Sequence, residues 1–150
     1  MPSRSFELSV DLPVPGAEVL AFLLDLRRHV GLHALMVSAQ PVGSGVDGRG
    51  RPWTDWVATD TLPLGPWRAA LRYPARLTSG DGEAWSKVRA ALGTHLTVHW
   101  QVTDRPGGGS RMTEVTTVTA PRVTLGFAVG QARAAHEATF ARLPGVLAAP

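Results

Sequence analysis

The stretch 121-PRVTLGFAVGQARAAHEATFARL-143 determines how the rest of the chain is arranged. Its spacing predicts one amphipathic helix over Pro121–Leu143, roughly 34 Å long at ~1.5 Å per residue. Proline suits the first helical turn, where a missing N–H costs nothing, and Pro144 and Gly145 predict the end of the helix. The apolar residues fall on two adjoining faces: Val123, Phe127, Ala134 and Ala138 on one, and Leu125, Val129, Ala132, His136 and Phe140 on the other.

A stripe of small residues runs along this predicted helix. Gly126, Gly130 and Ala134 recur every four residues, so one strip has almost no side chain. Glycine in a helix interior costs ~1 kcal/mol relative to alanine, and a compensating interaction is therefore expected. Either the backbone approaches a sheet closely, or the stripe leaves room for a ligand. We expect it to roof an apolar cavity.

Length and composition predict one globular domain over residues 1–150. The chain has 44% apolar residues and no polar tract that would divide it. Its apolar runs are far shorter than the ~20 residues of a membrane-spanning helix, and no apolar signal core follows Met1. The absence of cysteine excludes disulfides and thiolate metal sites and is compatible with the cytoplasm, where we expect the protein.

The positive charge of the chain does not predict nucleic-acid binding. The net charge is +3 and the pI is near 10.5, but the arginines are scattered and form no run or basic helix face. Isoleucine and asparagine are absent while Ala, Gly, Pro and Arg abound, which is the bias of a GC-rich coding sequence. The arginine content therefore has an explanation other than function, and we expect no nucleic-acid partner.

The chain before the long helix reads as a strand, a helical region and about six more strands. Alternation over Phe6–Leu12 predicts a strand, and Gly16–Arg28 changes to helical spacing. Further strands are predicted at 35–39, 53–62, 67–77, 84–90, 95–102 and 111–119, separated by turns rich in Gly and Pro. Consecutive strands followed by a helix predict an α+β fold, in which a curved antiparallel sheet grips the long helix.

The sequence resembles the START-like (SRPBCC) superfamily, most closely its polyketide cyclase/dehydrase and lipid-transport branch. The residues that carry the resemblance are the strand Phe6–Val10 leading into 15–26, His29 and His33, the run Thr59–Gly65, and Ala120–Arg122 leading into the helix with Gln131, Arg133 and His136. The resemblance implies a helix-grip fold of about seven strands, with short helices after the first. It also implies an apolar cavity for hydrophobic small molecules, which some members transform and many only carry. It implies no common catalytic set.

The histidines predict structural roles. His29 and His33 are four residues apart, but a metal site would need a third ligand and an unbroken helix, and Gly31 lies between them. They are therefore expected to cap or pack a helix end. A position at the mouth of a pocket stays open for them. His95 and His99 lie on the strand face opposite Trp100, which predicts a surface location. We expect neither a metal nor a cofactor.

Glu114 has two alternative orientations. It shares a strand face with Met112 and Val118; if that face points inward, a carboxylate enters the apolar space as a candidate general acid or base. The opposite register, with Thr113, Val115 and Thr117 inward, leaves Glu114 on the surface, and we favour it. Asp60 raises the same question. His136 is expected to be a core or pocket-edge histidine rather than a catalytic base.

Together these patterns favour binding or transport of a hydrophobic, lipid- or polyketide-like molecule. The alternative is a cyclase or dehydratase that uses Glu114, His136 or Tyr73 to move protons, and a third hypothesis is an interaction module with a collapsed groove. A homodimer is compatible with the sequence. The predicted ligand-binding residues are Phe22, Leu71, Tyr73, Val98, Trp100, Met112, Glu114, Phe127, Gly130 and Ala134.

Overall fold

The computed structural model describes residues 1–149; Pro150, the last residue of the predicted domain, lies outside the described residues. Strands and helices follow one another in the predicted order. The strands are β1 (Ser3–Leu12), β2 (Met36–Val46), β3 (Pro52–Leu64), β4 (Trp67–Ser79), β5 (Glu83–Arg89), β6 (His95–Asp104) and β7 (Ser110–Thr119). The helices are α1 (Gly16–Leu24) and α2 (Leu125–Ala148), with a 3₁₀ turn at Leu26–His29.

The seven strands form one antiparallel sheet in the order β1-β7-β6-β5-β4-β3-β2. Neighbours in this sheet are consecutive in the chain except for the pair β1 and β7, which brings the first and last strands together. The long helix α2 packs on these two strands. The predicted α+β helix-grip architecture is thereby confirmed.

Inner and outer faces of the sheet alternate along each strand as the sequence predicts. On β6 the side chains of Val98, Trp100 and Val102 are buried, while Thr97 and Gln101 are exposed. The buried residues of the inner face pack with those of α1 and of the second half of α2 into one apolar core. A smaller cluster, which includes Phe6, lies under the first turn of α2.

The helix α1 is positioned by polar contacts with the end of the sheet. Asp104, at the end of β6, accepts a hydrogen bond of 2.7 Å from the backbone N–H of Gly16, the first residue of α1. A carboxylate at this position satisfies a free helical N–H and interacts favourably with the helix dipole. Ser110 holds the preceding segment by donating to the carbonyl oxygen of Val14 over 2.9 Å.

Several predicted boundaries of these elements are wrong. The first helix ends at Leu24 rather than near Arg28, because Asp25 adopts an extended conformation and starts the separate 3₁₀ turn. The second strand extends to Val46, through bulges at 36–38 and 41–43, into residues that were expected to form a turn. Bulges let a strand accommodate an extra residue and continue its ladder, which explains this length.

Both ends of α2 also differ from the prediction. Residues 121–124 form a turn, in which the N–H of Leu125 bonds to the carbonyl of Pro121 over 3.0 Å, so the helix begins four residues late. At the other end Pro144 does not stop it, although an interior proline typically costs ~3 kcal/mol. Leu143 is buried and Leu147 packs against the core, so tertiary contacts hold the last turn in helical form.

The stripe of small residues on α2 faces solvent, and the prediction that it roofs a cavity is wrong. No atom lies within 4 Å of where a Cβ would stand at Gly126 or Gly130, and Ala134 is exposed. The sheet is instead met by the adjoining face, whose larger side chains bury more apolar area than a bare stripe could. That packed face comprises Leu125, Val129, Ala132, His136, Phe140 and Leu143.

Within residues 1–149, no helix is long and apolar enough to cross a membrane.

Candidate functional site

A cavity of about 440 Å³ lies between the inner face of the sheet and α2. Most of its wall is apolar and comes from every layer of the fold: Leu23 and Leu26 from the α1 region, Leu71 and Leu77 from β4, Val98 from β6, Met112 from β7, and Phe140 and Leu143 from α2. The polar groups on the wall are few: His29, His33, Asp60, Tyr73, Ser86, Glu114, His136, Thr139 and Arg142.

The carboxylate of Glu114 is the buried polar centre of this site. Its residue is only 3% exposed, and β7 places it on the inner face beside Met112. The indole N–H of Trp100, directly opposite on β6, donates to Oε2 over 2.7 Å, and the hydroxyl of Thr116 donates to Oε1 over 3.1 Å. A buried carboxylate needs such donors, because an unpaired charge in an apolar interior is strongly unfavourable.

His136 joins α2 to this carboxylate. Its Nδ1 hydrogen-bonds Oε1 of Glu114, and the ring of Phe6 packs edge-on against the imidazole at 5.7 Å between centroids. When Glu114 is ionised its carboxylate can only accept, and the hydrogen bond then requires the proton on Nδ1. In the neutral imidazole Nε2 is then the basic nitrogen, and His136 itself lines the cavity.

A second polar pair lies on the strands β3 and β4. The hydroxyl of Tyr73 donates to Oδ1 of Asp60 over 3.0 Å, and both residues line the cavity. Burial raises the pKa of Asp60, and this effect exceeds the lowering effect of the hydrogen bond from Tyr73. Burial and the adjacent carboxylate likewise raise the pKa of Tyr73, so the phenol stays protonated.

His29 and His33 are uncharged parts of the wall at neutral pH. Burial lowers the pKa of each to about 4. His29 stacks on Phe22 at 5.3 Å between ring centroids, and its Nε2 donates to the carbonyl oxygen of Phe22 over 3.2 Å. Nδ1 of His33 is 3.1 Å from the hydroxyl oxygen of Thr139 on α2. The pair thus packs at the end of the helical region and forms part of the cavity wall.

The cavity reaches the surface between α2 and the segment before β2. Its lining residues that are also solvent-exposed are Ala34 and Leu35 on one side and Ala135, Ala138 and Arg142 on the other. Arg142 bridges the two sides by donating from Nη1 to the carbonyl oxygen of Leu32 over 3.1 Å. A ligand that entered here would pass these side chains first.

The structure brings together most of the predicted site residues but not those on the wrong face of α2. Leu71, Tyr73, Val98, Trp100, Met112, Glu114 and His136 all line the cavity. Phe127 is 73% exposed, and Gly130 and Ala134 also lie on the solvent side, so their predicted place in the cavity is wrong. Phe22 is buried beneath His29 and does not line the cavity.

The preferred register for Glu114 is wrong, and the alternative is correct. Met112, Glu114, Thr116 and Val118 point inward. Asp60, for which the sequence left the register open, also faces the cavity, whereas His95 is exposed as predicted. Thr139 and Arg142 were missed; the available signal was their spacing, because Thr139 lies three residues after His136 and Arg142 three after Thr139, and side chains three apart on a helix are neighbours.

Comparison of the fold with solved structures shows what the chain is similar to. It superposes on the di-domain ARO/CYC protein BexL from the BE-7585A biosynthetic pathway with a TM-score of 0.69 and 15% identity, covering 99% of this chain and 51% of BexL. The aromatase/cyclase ZhuI from Streptomyces sp. R1128 gives 0.68 and 11%, covering 97% and 92%. Ara h 8.0201 gives 0.66 and 18%, covering 99% and 100%.

These similarities establish the fold, since the sequence identities are too low to carry more. The chain shares the helix-grip fold of these structures, and it spans about half the length of the di-domain protein BexL. No protein-family model and no curated protein matches the sequence.

Proposed function

We propose that the protein binds a hydrophobic small molecule in the cavity between α2 and the sheet. The observation that carries this proposal is an apolar chamber of about 440 Å³ with two separate polar pairs on its wall, Glu114–His136 and Asp60–Tyr73. Ligand sites are typically concave and apolar, with a few polar groups that fix orientation. The solved structures with the same fold include proteins described as aromatase/cyclases, which supports a small organic ligand.

The energetics of the chamber support the same proposal. At ~24 cal/mol per Å³, an empty apolar void of about 440 Å³ would cost roughly 10 kcal/mol, which rivals the net stability of a domain. A ligand that buries ~300 Å² of apolar surface returns roughly 7 kcal/mol before association costs. A hydrophobic ligand that displaces water from the chamber therefore fills it at a lower cost than leaving it empty.

Binding is tested with the fluorescent probe N-phenyl-1-naphthylamine and a variant that fills the chamber. Val88, on the inner face of β5, lines the cavity, and its neighbour Lys87 points outward from the same strand. Val88→Trp should abolish probe binding, while Lys87→Trp, the matched control, should bind as the wild type does. Circular dichroism shows whether each variant is folded. Absence of binding by the wild type to this probe and to a broad set of fatty acids, sterols and aromatic polyketides would refute the proposal.

A second candidate function is proton transfer on the bound ligand, as in a cyclisation or dehydration. The hydrogen bond from His136 to Glu114 favours it, because a carboxylate that holds Nδ1–H leaves Nε2 as an oriented general base on the cavity wall. Tyr73, kept protonated and held by Asp60, is a phenolic donor in the same chamber.

The second function predicts exchange of ligand protons with solvent. A hydrophobic 1,3-diketone bound in D₂O should exchange its α-protons faster than in buffer, as followed by NMR. His136→Ala and Glu114→Gln should remove that acceleration while the neutral probe still binds. Acceleration that survives both substitutions excludes this pair as the base, and binding without any acceleration favours a carrier.

A further inference from the structure

One end of the sheet gathers four exposed segments, which we call the loop end: residues 33–35, 62–68, 90–94 and 120–127. The pairing register shows why they lie at the same end. Thr119, the last residue of β7, pairs with His95 at the start of β6, and His95 pairs with Arg89 at the end of β5. Met36 at the start of β2 pairs with Asp60 near the end of β3, just before the turn into β4.

Each segment of the loop end presents large apolar side chains to solvent. Trp67 is 76% exposed, Leu92 85% and Phe127 73%, and Val123 and Leu64 are also exposed. Single exposed apolar residues are ordinary on protein surfaces. Here every segment at one end contributes one or more, which is the pattern of an interaction surface.

Leu92 shows that this exposure is not incidental. It has a positive φ of 59°, and no other non-glycine residue among those described shares that region. The left-handed conformation typically costs an L-residue other than Gly, Asn or Asp ~1 kcal/mol or more. A leucine in this turn, followed by Gly93, satisfies neither the backbone preference nor any packing contact, since its side chain is in solvent.

The charges at the loop end are all positive. The four segments of the loop end, residues 33–35, 62–68, 90–94 and 120–127, contain no aspartate or glutamate. The exposed side chains of Arg68 and Arg122, the two arginines of the loop end, form no ion pair within residues 1–149. Elsewhere several arginines are paired with carboxylates: Arg27 with Asp25, Arg51 with Asp47, Arg76 with Asp55, and Arg105 and Arg111 with Asp11. The absence of nearby carboxylates, rather than the absence of pairing alone, therefore distinguishes the loop end.

We propose that the loop end docks on the surface of an anionic lipid membrane. Apolar tips insert into the boundary between headgroups and acyl chains, and unpaired arginines contact lipid phosphates, the two contributions that hold peripheral proteins on bilayers. Charge complementarity selects an anionic surface, because no carboxylate at this end would repel it. No membrane-spanning helix is needed for this mode of binding.

The docking surface adjoins the cavity mouth. Leu35 belongs to the loop end and lines the cavity, with 42% of its surface exposed. A docked protein therefore places one side of the mouth near the bilayer, where hydrophobic molecules partition. Exchange of a ligand between the bilayer and the cavity rests on the proposed function, whereas docking itself does not.

The test is co-sedimentation of the full chain with large unilamellar vesicles of phosphatidylcholine alone or with about one third phosphatidylglycerol, at low and high salt. We expect binding to the anionic vesicles that weakens with salt. Arg68→Gln should lower the affinity about fivefold, the factor equivalent to ~1 kcal/mol for one basic residue at such a surface. Arg49→Gln at the opposite end is the matched control and should bind as the wild type does.

Leu92→Asn removes an apolar tip without endangering the fold, because asparagine tolerates the left-handed conformation. It should lower vesicle affinity several-fold while the melting temperature stays equal or rises. The proposal is overturned by no binding to anionic vesicles at low salt, by wild-type affinity of Arg68→Gln and Leu92→Asn, or by tighter binding to polyglutamate than to vesicles. Probe binding without vesicles tests the cavity separately, so either proposal can fail while the other stands.

Discussion

The indole N–H of Trp100 donates to the buried carboxylate of Glu114 over 2.7 Å, from the residue directly opposite on the neighbouring strand. This cross-strand bond holds the carboxylate in place on a mostly apolar wall. Thr116 and His136 complete its coordination from the same strand and from α2. The site is therefore built by β6, β7 and α2, three elements that follow one another in the chain.

Removing the indole N–H of Trp100 should destabilise the protein more than removing the indole N–H of another buried tryptophan. Trp100→Phe keeps the aromatic ring but removes a donor to a charged acceptor, which is typically worth about 1.5–3 kcal/mol. The control is Trp56→Phe, because Trp56 is also buried and its Nε1 has no hydrogen-bond partner within residues 1–149. Urea denaturation measures both; equal losses would show that the bond to Glu114 contributes little.

The register of β7 shows why the sequence predicted the fold better than the site. Alternation over 111–119 fits either face, since Thr113, Val115 and Thr117 are as compatible with an interior as Met112, Glu114 and Thr116. The choice is made by donors on β6 and α2, which the local pattern does not contain. Strand order, by contrast, follows from local alternation and turns, which the sequence does contain.

The face of α2 that packs on the sheet was predicted wrongly for a similar reason. Its two apolar faces adjoin, and the glycine stripe could be read either as a close contact or as open surface. Burial of the larger side chains decided the outcome, because it removes more apolar area from water. The stripe left outside has no tertiary reason to contain glycine.

Substitution of the stripe should therefore stabilise the protein. Gly130→Ala adds a Cβ with no neighbour within 4 Å, so helix propensity alone acts, with an expected gain of roughly 0.5–1 kcal/mol. Thermal unfolding measures the change, and Gly126→Ala should behave in the same way. Gly109→Ala is the contrasting control: its Cβ would clash with the carbonyl oxygen of Leu12 and its φ is positive, so it should destabilise. Destabilisation by Gly130→Ala would mean that the helix packs on its stripe after all.

Acid should destabilise the protein through its buried histidines. Burial lowers the pKa of His29 from 6.5 to about 4, so between these values the unfolded state binds a proton that the folded state does not. Stability is therefore present above pH ~6.5 and is lost as the pH falls toward 4, by up to ~3 kcal/mol for this group. His33 contributes in the same direction.

The histidine prediction is checked by urea denaturation as a function of pH. His29→Leu should lose part of the dependence between pH ~6.5 and ~4, because leucine does not titrate. The dependence contributed by His33 should remain. His95→Leu is the control, since His95 is exposed on the outer face. An unchanged pH profile in His29→Leu would show that another group causes the acid sensitivity.

The same substitution, Asp→Asn, should change the stability of the protein in opposite directions at two aspartates on β3. Burial in the cavity wall raises the pKa of Asp60, so its ionised form costs the folded state stability as the pH rises above the unfolded value of 3.8. Asp60→Asn removes this cost at neutral pH, and its amide oxygen still accepts from Tyr73. Asp55 differs, because the hydrogen bond from Arg76 lowers its pKa. Asp55→Asn should therefore lose a little stability above pH ~4.

Urea midpoints at pH 7 should be compared for Asp60→Asn, Asp55→Asn and Tyr73→Phe. The comparison separates the cost of burying a carboxylate from the gain of its hydrogen bond. Tyr73→Phe removes the hydroxyl donor that partly offsets burial of Asp60, so it should be destabilising, and the double variant with Asp60→Asn should lose less than Tyr73→Phe alone. A stabilised Asp60→Asn that also keeps probe affinity would show that the carboxylate is retained for a property other than folding, such as recognition of a hydrogen-bond donor on the ligand. A destabilised Asp60→Asn would instead make the Asp60–Tyr73 pair a structural contact, because its charge would then contribute to the folded state rather than oppose it.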